Sequence, residues 1–301
     1  MSPDARALSV SIEGDIAIVT FDLPNEPVNK FSASVVAEFD KVLGELEQDP
    51  TVRAAVLVSG KPDGFIVGAD IDAFLAFGSA KDAEAASAMG NRMMSNLERL
   101  RTPVVAAING ACLGGGLEAA LACSYRVASD HPKTVFAFPE TQLGLIPGAG
   151  GTQRLPKTIG LQAALDMILT AKNVRAKKAL QTRLVDELVH PSMLRSVAIQ
   201  RAKELASGAL PRHQEKRHGP MALVLEDNPI GRAVVFRQAR DLTLRKSRGN
   251  YPALLAAIEA VAAGFHGTSE HGFAEEARLF GEMAASAVSR ELIFLFYATS
   301  S

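Results

Sequence analysis

The stretch "GACLGGGLEAALAC", residues 110–123, places three glycines and a single acid between apolar segments. It directly follows "PVVAAING", whose continuous apolar run is typical of a strand buried on both faces of a parallel sheet. Because glycine reaches backbone conformations closed to other residues, Gly114–Gly116 predict a sharp turn, and Leu117–Ala122 predict a helix after it. A buried strand, a glycine turn and a buried helix in succession favour an α/β fold.

Apolar periodicity along the chain predicts further elements. The segment "LSVSIEGDIAIVTFDLP" alternates apolar and polar residues on both sides of Glu13–Asp15, which is typical of a hairpin. Ser32 is a suitable N-cap for a helix that continues to Gln48. Further strands are expected in "AAVLVSG", Tyr125–Ala128 and Val135–Ala137, and further helices at Ala80–Leu100, Ala163–Leu169, Ala176–Gln181 and Met193–Ser207.

The pattern changes from mixed to helical after residue 161. The segment "GALPRHQEKRHGP" is rich in proline, glycine and charge, as linkers are, and four helical patterns follow between residues 229 and 297. A chain of 301 residues is long enough for two domains, or for one large domain with an appendage. The C-terminal third is therefore predicted to be all-helical.

Charge and composition exclude several classes of protein. The formal net charge of −1 gives no general attraction to nucleic acid or to an anionic membrane. No apolar run is long enough to span a membrane, and the N-terminus carries no signal-peptide core, so a cytoplasmic location is expected. Cys112 and Cys123 lie in apolar surroundings typical of buried free thiols, and the six histidines show no metal-binding spacing.

Two acids stand in apolar surroundings beside glycine-rich turns. Glu118 lies in the quoted stretch, and Glu140 lies in "VFAFPETQLGLIPGAGG". Burying an unpaired carboxylate is costly and raises its pKa, so such a residue is either held in a structural ion pair or serves as an acid or base. For these two, Arg126 and Arg154 are the candidate structural partners. A pair of carboxylates otherwise suits chemistry in which one group takes a proton and another delivers one.

Backbone N–H groups supply the second half of a candidate site. The glycines before Leu117 would leave N–H groups free to face a developing negative charge. In "FIVGADIDAF" the Ala69 N–H is similarly placed, and Asp70 is suited to cap the following segment. Two such donors from separate loops would form an oxyanion hole. Taken singly, a run of glycines is explained by tight packing and Asp70 by a turn, whereas the combination indicates enolate chemistry beside a carbonyl.

Four motifs in order carry a family resemblance: "GADI" at 68–71, "INGACLGGGLEAALAC" at 108–123, "FPETQLGLIPGAGGTQRLP" at 138–156 and "ALQTRLVDELV" at 179–189. From about residue 8 to about 205, the chain resembles the enoyl-CoA hydratase/isomerase (crotonase) family. The resemblance implies an α/β fold, with a crotonase-like ββα spiral core in a domain over 1–205. A linker and an all-helical C-terminal region over 206–301 would follow, similar to the segment after the hydratase half of multifunctional fatty-acid-oxidation α subunits.

The resemblance also implies an activity and a set of site residues. The thioester oxygen would lie between the N–H groups of Ala69 and Gly115, with Glu118 as base and Glu140 as acid in adding water to a trans-2-enoyl-CoA. Enoyl-CoA isomerase activity between Δ3 and Δ2 substrates would accompany hydration. The alternatives are an isomerase without hydratase activity and a non-catalytic binding protein on the same fold. The substrate-binding positions implied are Gly68, Asp70, Ile71, Gly114, Gly116, Pro139 and Gly148.

Cofactors and partners follow from the same resemblance. Coenzyme A would be part of the substrate, and no separate cofactor or metal is expected. The chain has no strand followed by G-x-G-x-x-G, so no NAD site is predicted. A thiolase subunit is the expected partner if the chain belongs to an oxidation complex, and a homo-oligomer is the alternative. Phe74, Leu75 and Phe77 would suit an acyl pocket, although core packing explains them equally well.

Overall fold

The computed structural model describes residues 6–212, 226 and 228–300. Within these residues the strands form a six-stranded sheet, in the order β1-β2-β3-β5-β7-β10, and a four-stranded sheet, in the order β4-β6-β8-β9. The strands are β1 (Leu8–Glu13), β2 (Ile16–Phe21), β3 (Ala54–Ser59), β4 (Gly64–Ile66), β5 (Val104–Ile108), β6 (Ala111–Leu113), β7 (Tyr125–Ser129), β8 (Val135–Ala137), β9 (Val174–Arg175) and β10 (Glu187–Val189).

The helices surround these strands and continue beyond them. They are α1 (Ala33–Gln48), α2 (Ile71–Leu75), α3 (Ala80–Arg99), α4 (Gly115–Ala122), α5 (Gly151–Ile159), α6 (Leu161–Thr170), α7 (Ala176–Gln181), α8 (Leu194–Ser207), α9 (Pro229–Ser247), α10 (Pro252–Ala263), α11 (Ser269–Ala284) and α12 (Ala287–Ser300), with 3-10 helices at Pro139–Leu143 and Pro191–Met193. The predicted α/β class with a helical C-terminal region is confirmed. No helix of the described residues has the length and apolar character needed to cross a membrane.

The contacts divide the molecule into two compact units. The first comprises the described residues within Met1–Asp70, Arg92–Phe136 and Asn173–Gln214, and the second those within Ile71–Asn91, Ala137–Lys172 and Glu215–Ser301. These units group residues by packing and alternate along the chain. The predicted division into 1–205 and 206–301 follows chain order instead, and it stays a prediction.

The first unit is built on the six-stranded sheet. Its opening hairpin pairs β1 with β2 in antiparallel register, and the other strands of this sheet pair in parallel. Helix α8 packs across β3 and β5. The core between α8 and the sheet consists of Ile16, Ile18, Ala54, Val56, Val105, Ala107, Val127, Leu194, Ala198, Ala202 and Leu205. Aliphatic residues face inward from both layers, and this core holds the sheet in place, including the strand ends that carry loops.

The second unit is a helical assembly. Helix α10 packs against α5, α6 and α11 and buries an alanine-rich face. Gln153 of α5 donates from Nε2 to the Ala260 carbonyl oxygen, at 2.8 Å. A Cβ at Gly264 or Gly272 would lie within 2.3 Å of the Gln153 side-chain oxygen, so both glycines leave room for this side chain. The polar side chain of Gln153 is thus enclosed by the C-terminal helices.

Most predicted elements are found, and the differences are instructive. Helix α1 begins after the N-cap Ser32, whose hydroxyl accepts from the Val35 N–H, and ends at Gln48 as predicted. Helix α4 begins at Gly115, two residues earlier than predicted, and α8 begins one residue later. Helix α5 includes the helix-like "TQRL" at 152–155 and continues to Ile159, with Pro156 inside it although proline is typical of a helix end. Most of the predicted linker after Leu210 lies outside the described residues.

Candidate active site

The first half of the candidate site is the loop after β4. Phe31 forms a parallel bridge with Ala69: its N–H donates to the Gly68 carbonyl, and its carbonyl accepts from the Asp70 N–H, each at 2.8 Å. Successive N–H groups of an extended segment point to opposite sides, so the Ala69 N–H faces away from Phe31. Gly68 has φ of +108°, a backbone conformation that favours glycine. The chain changes direction at this residue, just before Ala69.

The second half is the glycine turn before α4. Gly114 has φ of +51° and is the N-cap of α4, whose first residue is Gly115. The first N–H groups of a helix lack partners within the helix, which leaves them available to a ligand. A Cβ placed on Gly68 would lie 3.7 Å from the Gly115 nitrogen, so the two loops adjoin. Within the described residues, neither the Ala69 N–H nor the Gly115 N–H donates to a protein acceptor.

Gly116 allows α4 to approach β4. A Cβ on Gly116 would lie 2.1 Å from the Ile66 carbonyl oxygen, which is impossible without moving the backbone. One turn into the same helix, Glu118 is 3% exposed and lies among the buried residues of α4. Of the predicted two donors and two carboxylates, Ala69, Gly115 and Glu118 lie on adjoining elements of the first unit.

Arg126, one of the two candidate structural partners of a buried glutamate, is engaged by another acid. It is fully buried, and its Nη2 lies 3.4 Å from Asp186 Oδ2. Its Nε donates to the Leu184 carbonyl at 2.8 Å, and the Arg126 N–H donates to the Asp186 carboxylate at 2.9 Å. In the second unit, Arg154 lies over the Phe273 ring, 4.9 Å from its centroid, and donates to the Ala149 carbonyl.

Glu140 belongs to the second unit. It follows Pro139 in the first turn of the 3-10 helix Pro139–Leu143, which ends at Gly144 with φ of +69°. Its carbonyl accepts from the Leu145 N–H at 2.9 Å, and its side-chain Oε2 is inaccessible to solvent. A short 3-10 helix that opens with proline and closes with a left-handed glycine fixes the backbone that carries this carboxylate.

The remaining candidate residues have diverse surroundings. Asp70 forms an ion pair with Lys30, at 3.5 Å, and Ile71 is the first residue of α2. Burial lowers the pKa of Lys30, but the carboxylates of Asp70 and Glu26 outweigh burial, and the net pKa is raised. A Cβ on Gly148 would lie 2.7 Å from the Phe280 ring, so this glycine is required by packing. A substrate contact at these positions stays a prediction.

Sequence patterns did not indicate Asn29, which supports the Ala69 loop. Its side chain is 1% exposed, and it joins β2, β3 and β4 through Phe21, the Ser59 hydroxyl (2.9 Å) and Phe65. The amide donates to the Phe21 carbonyl at 2.7 Å and the Phe65 carbonyl at 3.1 Å, and accepts from the Leu23 N–H at 2.9 Å. The Asn29 carbonyl also accepts from the Val67 N–H, at 2.9 Å, beside the loop. Asparagine and proline in "NEPVNKF" are typical of a turn, so the sequence gives no sign that Asn29 is buried and joins strands.

Comparison with known proteins identifies the family of this chain. A family model described as enoyl-CoA hydratase/isomerase matches residues 11–218. The chain belongs to this family. A curated relative, the fatty acid oxidation complex subunit alpha of Idiomarina loihiensis, is 42% identical over 304 aligned positions, which cover 100% of this chain and 42% of the relative. The chain thus spans less than half the length of that relative.

Solved structures agree on the fold. The crystal structure of an enoyl-CoA hydratase from Bacillus anthracis is 25% identical, covers 98% of this chain and 97% of its own, and superposes with a TM-score of 0.63. Pseudomonas aeruginosa DspI is 30% identical, covers 85% of this chain and 98% of its own, and also gives a TM-score of 0.63. The predicted crotonase-like core is confirmed. Within the described residues, no group of histidine, cysteine or acidic side chains is arranged to hold a metal ion.

Proposed function

We propose that this chain is an enoyl-CoA hydratase that adds water across the double bond of trans-2-enoyl-CoA thioesters. The proposal is carried by one observation: two adjoining loops each present an available N–H group, that of Ala69 and that of Gly115. The buried carboxylate of Glu118 follows on the helix that Gly115 opens. Such donors are suited to a thioester oxygen, which gains negative charge when a nucleophile attacks the conjugated double bond.

The proposed reaction assigns one proton transfer to each carboxylate. Glu118 accepts a proton from water as its oxygen bonds to the β-carbon, and the electron pair of the double bond moves toward the thioester oxygen. The resulting enolate accepts hydrogen bonds from the Ala69 and Gly115 N–H groups. Glu140 then delivers a proton to the α-carbon, which completes the addition of one water. Removing a single oxyanion donor from such a site costs roughly 100- to 1000-fold in rate.

The test is loss of the conjugated thioester absorbance with crotonyl-CoA and with a longer trans-2-enoyl-CoA. We expect activity in the wild type and a fall of about 100- to 10,000-fold in both Glu118→Gln and Glu140→Gln, because each variant lacks a positioned acid or base. Glu45→Gln is the matched control, since Glu45 lies on α1 with its side chain 61% exposed and pairs only loosely with Lys41, at 3.8 Å. Its activity should equal that of the wild type.

A Δ3-enoyl-CoA substrate separates hydration from isomerisation. Isomerisation moves a proton between two carbons and needs no attacking water. The isomerase rate should therefore fall less than the hydratase rate in Glu118→Gln. A wild type that is inert on both trans-2 substrates but shifts a Δ3 double bond would replace hydratase by isomerase. Isomerase activity beside hydration would extend the proposal, with Glu140 as the proton carrier.

The wider setting of the reaction is proposed on the same basis. Coenzyme A enters as part of the substrate, and the addition of water requires neither NAD nor a metal. The curated relative is named as a subunit of a fatty acid oxidation complex. We extend to this chain a role on acyl-CoA substrates of that pathway, with a thiolase subunit as the expected partner. A cytoplasmic location stays a prediction.

A further inference from the structure

Glu276 is a buried carboxylate that lies outside the residues matched by the family model. It is 0% exposed on α11, among apolar residues of the same helix face. Its Oε1 accepts from the Gly150 N–H at 2.7 Å and from Asn91 Nδ2 at 3.1 Å. Its Oε2 accepts from the Thr152 N–H at 3.0 Å and from the Thr152 hydroxyl.

These contacts match an ionised carboxylate, which only accepts hydrogen bonds. Burial raises the pKa of Glu276 and outweighs the opposing hydrogen bonds from Thr152, Gly150 and Asn91, so the net pKa is raised. A buried acid is tolerated where several donors, including N–H groups at a helix N-terminus, replace its water. Glu276 therefore satisfies the N–H groups of the N-cap Gly150 and of Thr152 in the first turn of α5, from a distant part of the chain.

The same helix also covers the glycine loop before α5. Phe280, one turn after Glu276, packs on Gly148, where a Cβ would lie 2.7 Å from its ring. The Gly148 carbonyl accepts from the Ser87 hydroxyl, and Asn91 Nδ2 lies 3.5 Å from the same carbonyl. Gly150 has φ of +99°, so the loop turns through a conformation that favours glycine. Two side chains of α11 thus determine where this loop lies.

The loop is continuous with the segment that carries Glu140. Gly144 closes the 3-10 helix of Glu140 and is separated from Gly150 by five residues. At the Gly144 end, the Ser289 hydroxyl donates to the Leu143 carbonyl at 2.9 Å, and a Cβ on Gly144 would lie 2.9 Å from the Ser289 Cα. The C-terminal helices α11 and α12 therefore hold both ends of the connection between Glu140 and α5.

We infer that Glu276 is a positioning residue for Glu140: its carboxylate fixes the glycine loop Gly148–Gly150 and the first turn of α5, and this segment fixes the backbone on which Glu140 delivers its proton. The inference rests on the proposed function, because it concerns the proton donor of that reaction. It assigns to the C-terminal helices a task within the site. A misplacement of a catalytic group by 1 Å costs about 100-fold in rate.

The test compares Glu276→Gln with Glu275→Gln in the 301-residue chain. Glutamine retains the shape of glutamate but has only one accepting oxygen. Its NH2 group would face donors that had donated hydrogen bonds to the second carboxylate oxygen. Glu275 is the neighbouring acid on α11 and forms a surface ion pair with Arg278, at 2.8 Å, which makes its variant the matched control. Thr152→Val, which removes one hydroxyl donor, is the milder variant if Glu276→Gln fails to fold.

The first measurement is hydrogen exchange of the Gly150 and Thr152 amides, which requires no activity. We expect at least one of these two amides to exchange at least about tenfold faster in Glu276→Gln, because the single amide oxygen of glutamine cannot replace both carboxylate oxygens, and we expect unchanged exchange in Glu275→Gln. Thr152→Val should change exchange in the same direction by a smaller factor. Equal exchange in Glu276→Gln and the wild type would overturn the anchoring role.

The second measurement is hydration kinetics in a double-mutant cycle. In the wild-type background, Glu276→Gln should lower kcat by about 10- to 100-fold with little change in KM, since the proton donor is displaced while thioester binding is retained. In the Glu140→Gln background it should change kcat by less than about twofold, because the group it positions is already absent. An equal loss in both backgrounds would overturn the inference in favour of general destabilisation.

A failure of the inference is distinguishable from a failure of the proposed function. A wild type without hydratase or isomerase activity would refute the proposed function, and the positioning of Glu140 for that reaction would fall with it. An active wild type whose Glu276→Gln variant keeps full kcat would refute the inference alone.

Discussion

Two buried charged side chains, Glu276 and Arg126, are each stabilised by several polar contacts. Glu276 is stabilised by N–H and hydroxyl donors, and Arg126 is held by Asp186 and a carbonyl. Both groups connect segments far apart in sequence: Glu276 joins α11 to α5, and Arg126 joins β7 to the residues before β10. Removing one partner of such a pair leaves the other buried without compensation, which costs more than the pair contributes in isolation.

The two cysteines give a residue-scale prediction that depends on pH. Burial raises the pKa of Cys123 to about 12, with Arg126 acting in the opposite direction, and burial raises the pKa of Cys112 well above its ordinary value. A thiolate forms only as pH rises through the pKa, so at pH 8 about one Cys123 thiol in ten thousand is ionised. Native protein should therefore resist alkylation at pH 8, and both thiols should react in 8 M urea. Stoichiometric labelling of folded protein would contradict this prediction.

At the scale of elements, close approach of backbones depends on a few glycines. Helix α4 lies against β4 because Gly116 has no side chain, and this contact also places Gly115 beside the Ala69 loop. The two donors of the proposed oxyanion hole thus depend on the packing of one helix on one short strand.

Substitution of Gly116 tests this dependence. Gly116→Ala places a Cβ 2.1 Å from the Ile66 carbonyl oxygen, so α4 must move away from β4. We expect the free energy of unfolding to fall by about 1–3 kcal/mol, as in other overpacked cores, and kcat to fall because the Gly115 N–H is displaced. Gly64→Ala, in the same strand as Ile66, is the control, since its Cβ meets no atom within 4 Å. Denaturant unfolding and hydration rates should separate the two variants.

Elements with a strong local signal could be predicted from sequence. Helix α1 has its cap, its periodicity and its end in one segment, and β5 is a continuous apolar run. Strands β4 and β6 have three residues each, too few for any period to be visible, and they are defined by their pairing with one another. Glu276 was not predicted either, although an acid in line with the apolar face of "GFAEEARLFGEMA" was a visible signal.

At the scale of the whole molecule, packing does not follow the order of the chain. The second unit combines Ile71–Asn91 and Ala137–Lys172 with helices from the C-terminal third, whereas the family model matches only residues 11–218. Helices α5 and α6, which follow the Glu140 motif, pack against α10. The C-terminal helices therefore complete a core that the matched region contains only in part.

Deletion of residues 219–301 tests whether these helices are integral to the fold. The deletion removes Glu276 and the Ala260 carbonyl that accepts from Gln153, and it exposes the faces of α5 and α6 that α10 covers. We expect hydrogen exchange over 151–170 to approach that of an unfolded chain, because most stability of a short helix comes from tertiary packing. Ile230→Ser in the 301-residue chain is the control, since Ile230 is 79% exposed on α9 and its loss should leave protection unchanged. If residues 1–218 alone protected α5 and α6 as strongly as the full chain, the C-terminal helices would be an appendage, and Glu276 could not be needed to hold the loop.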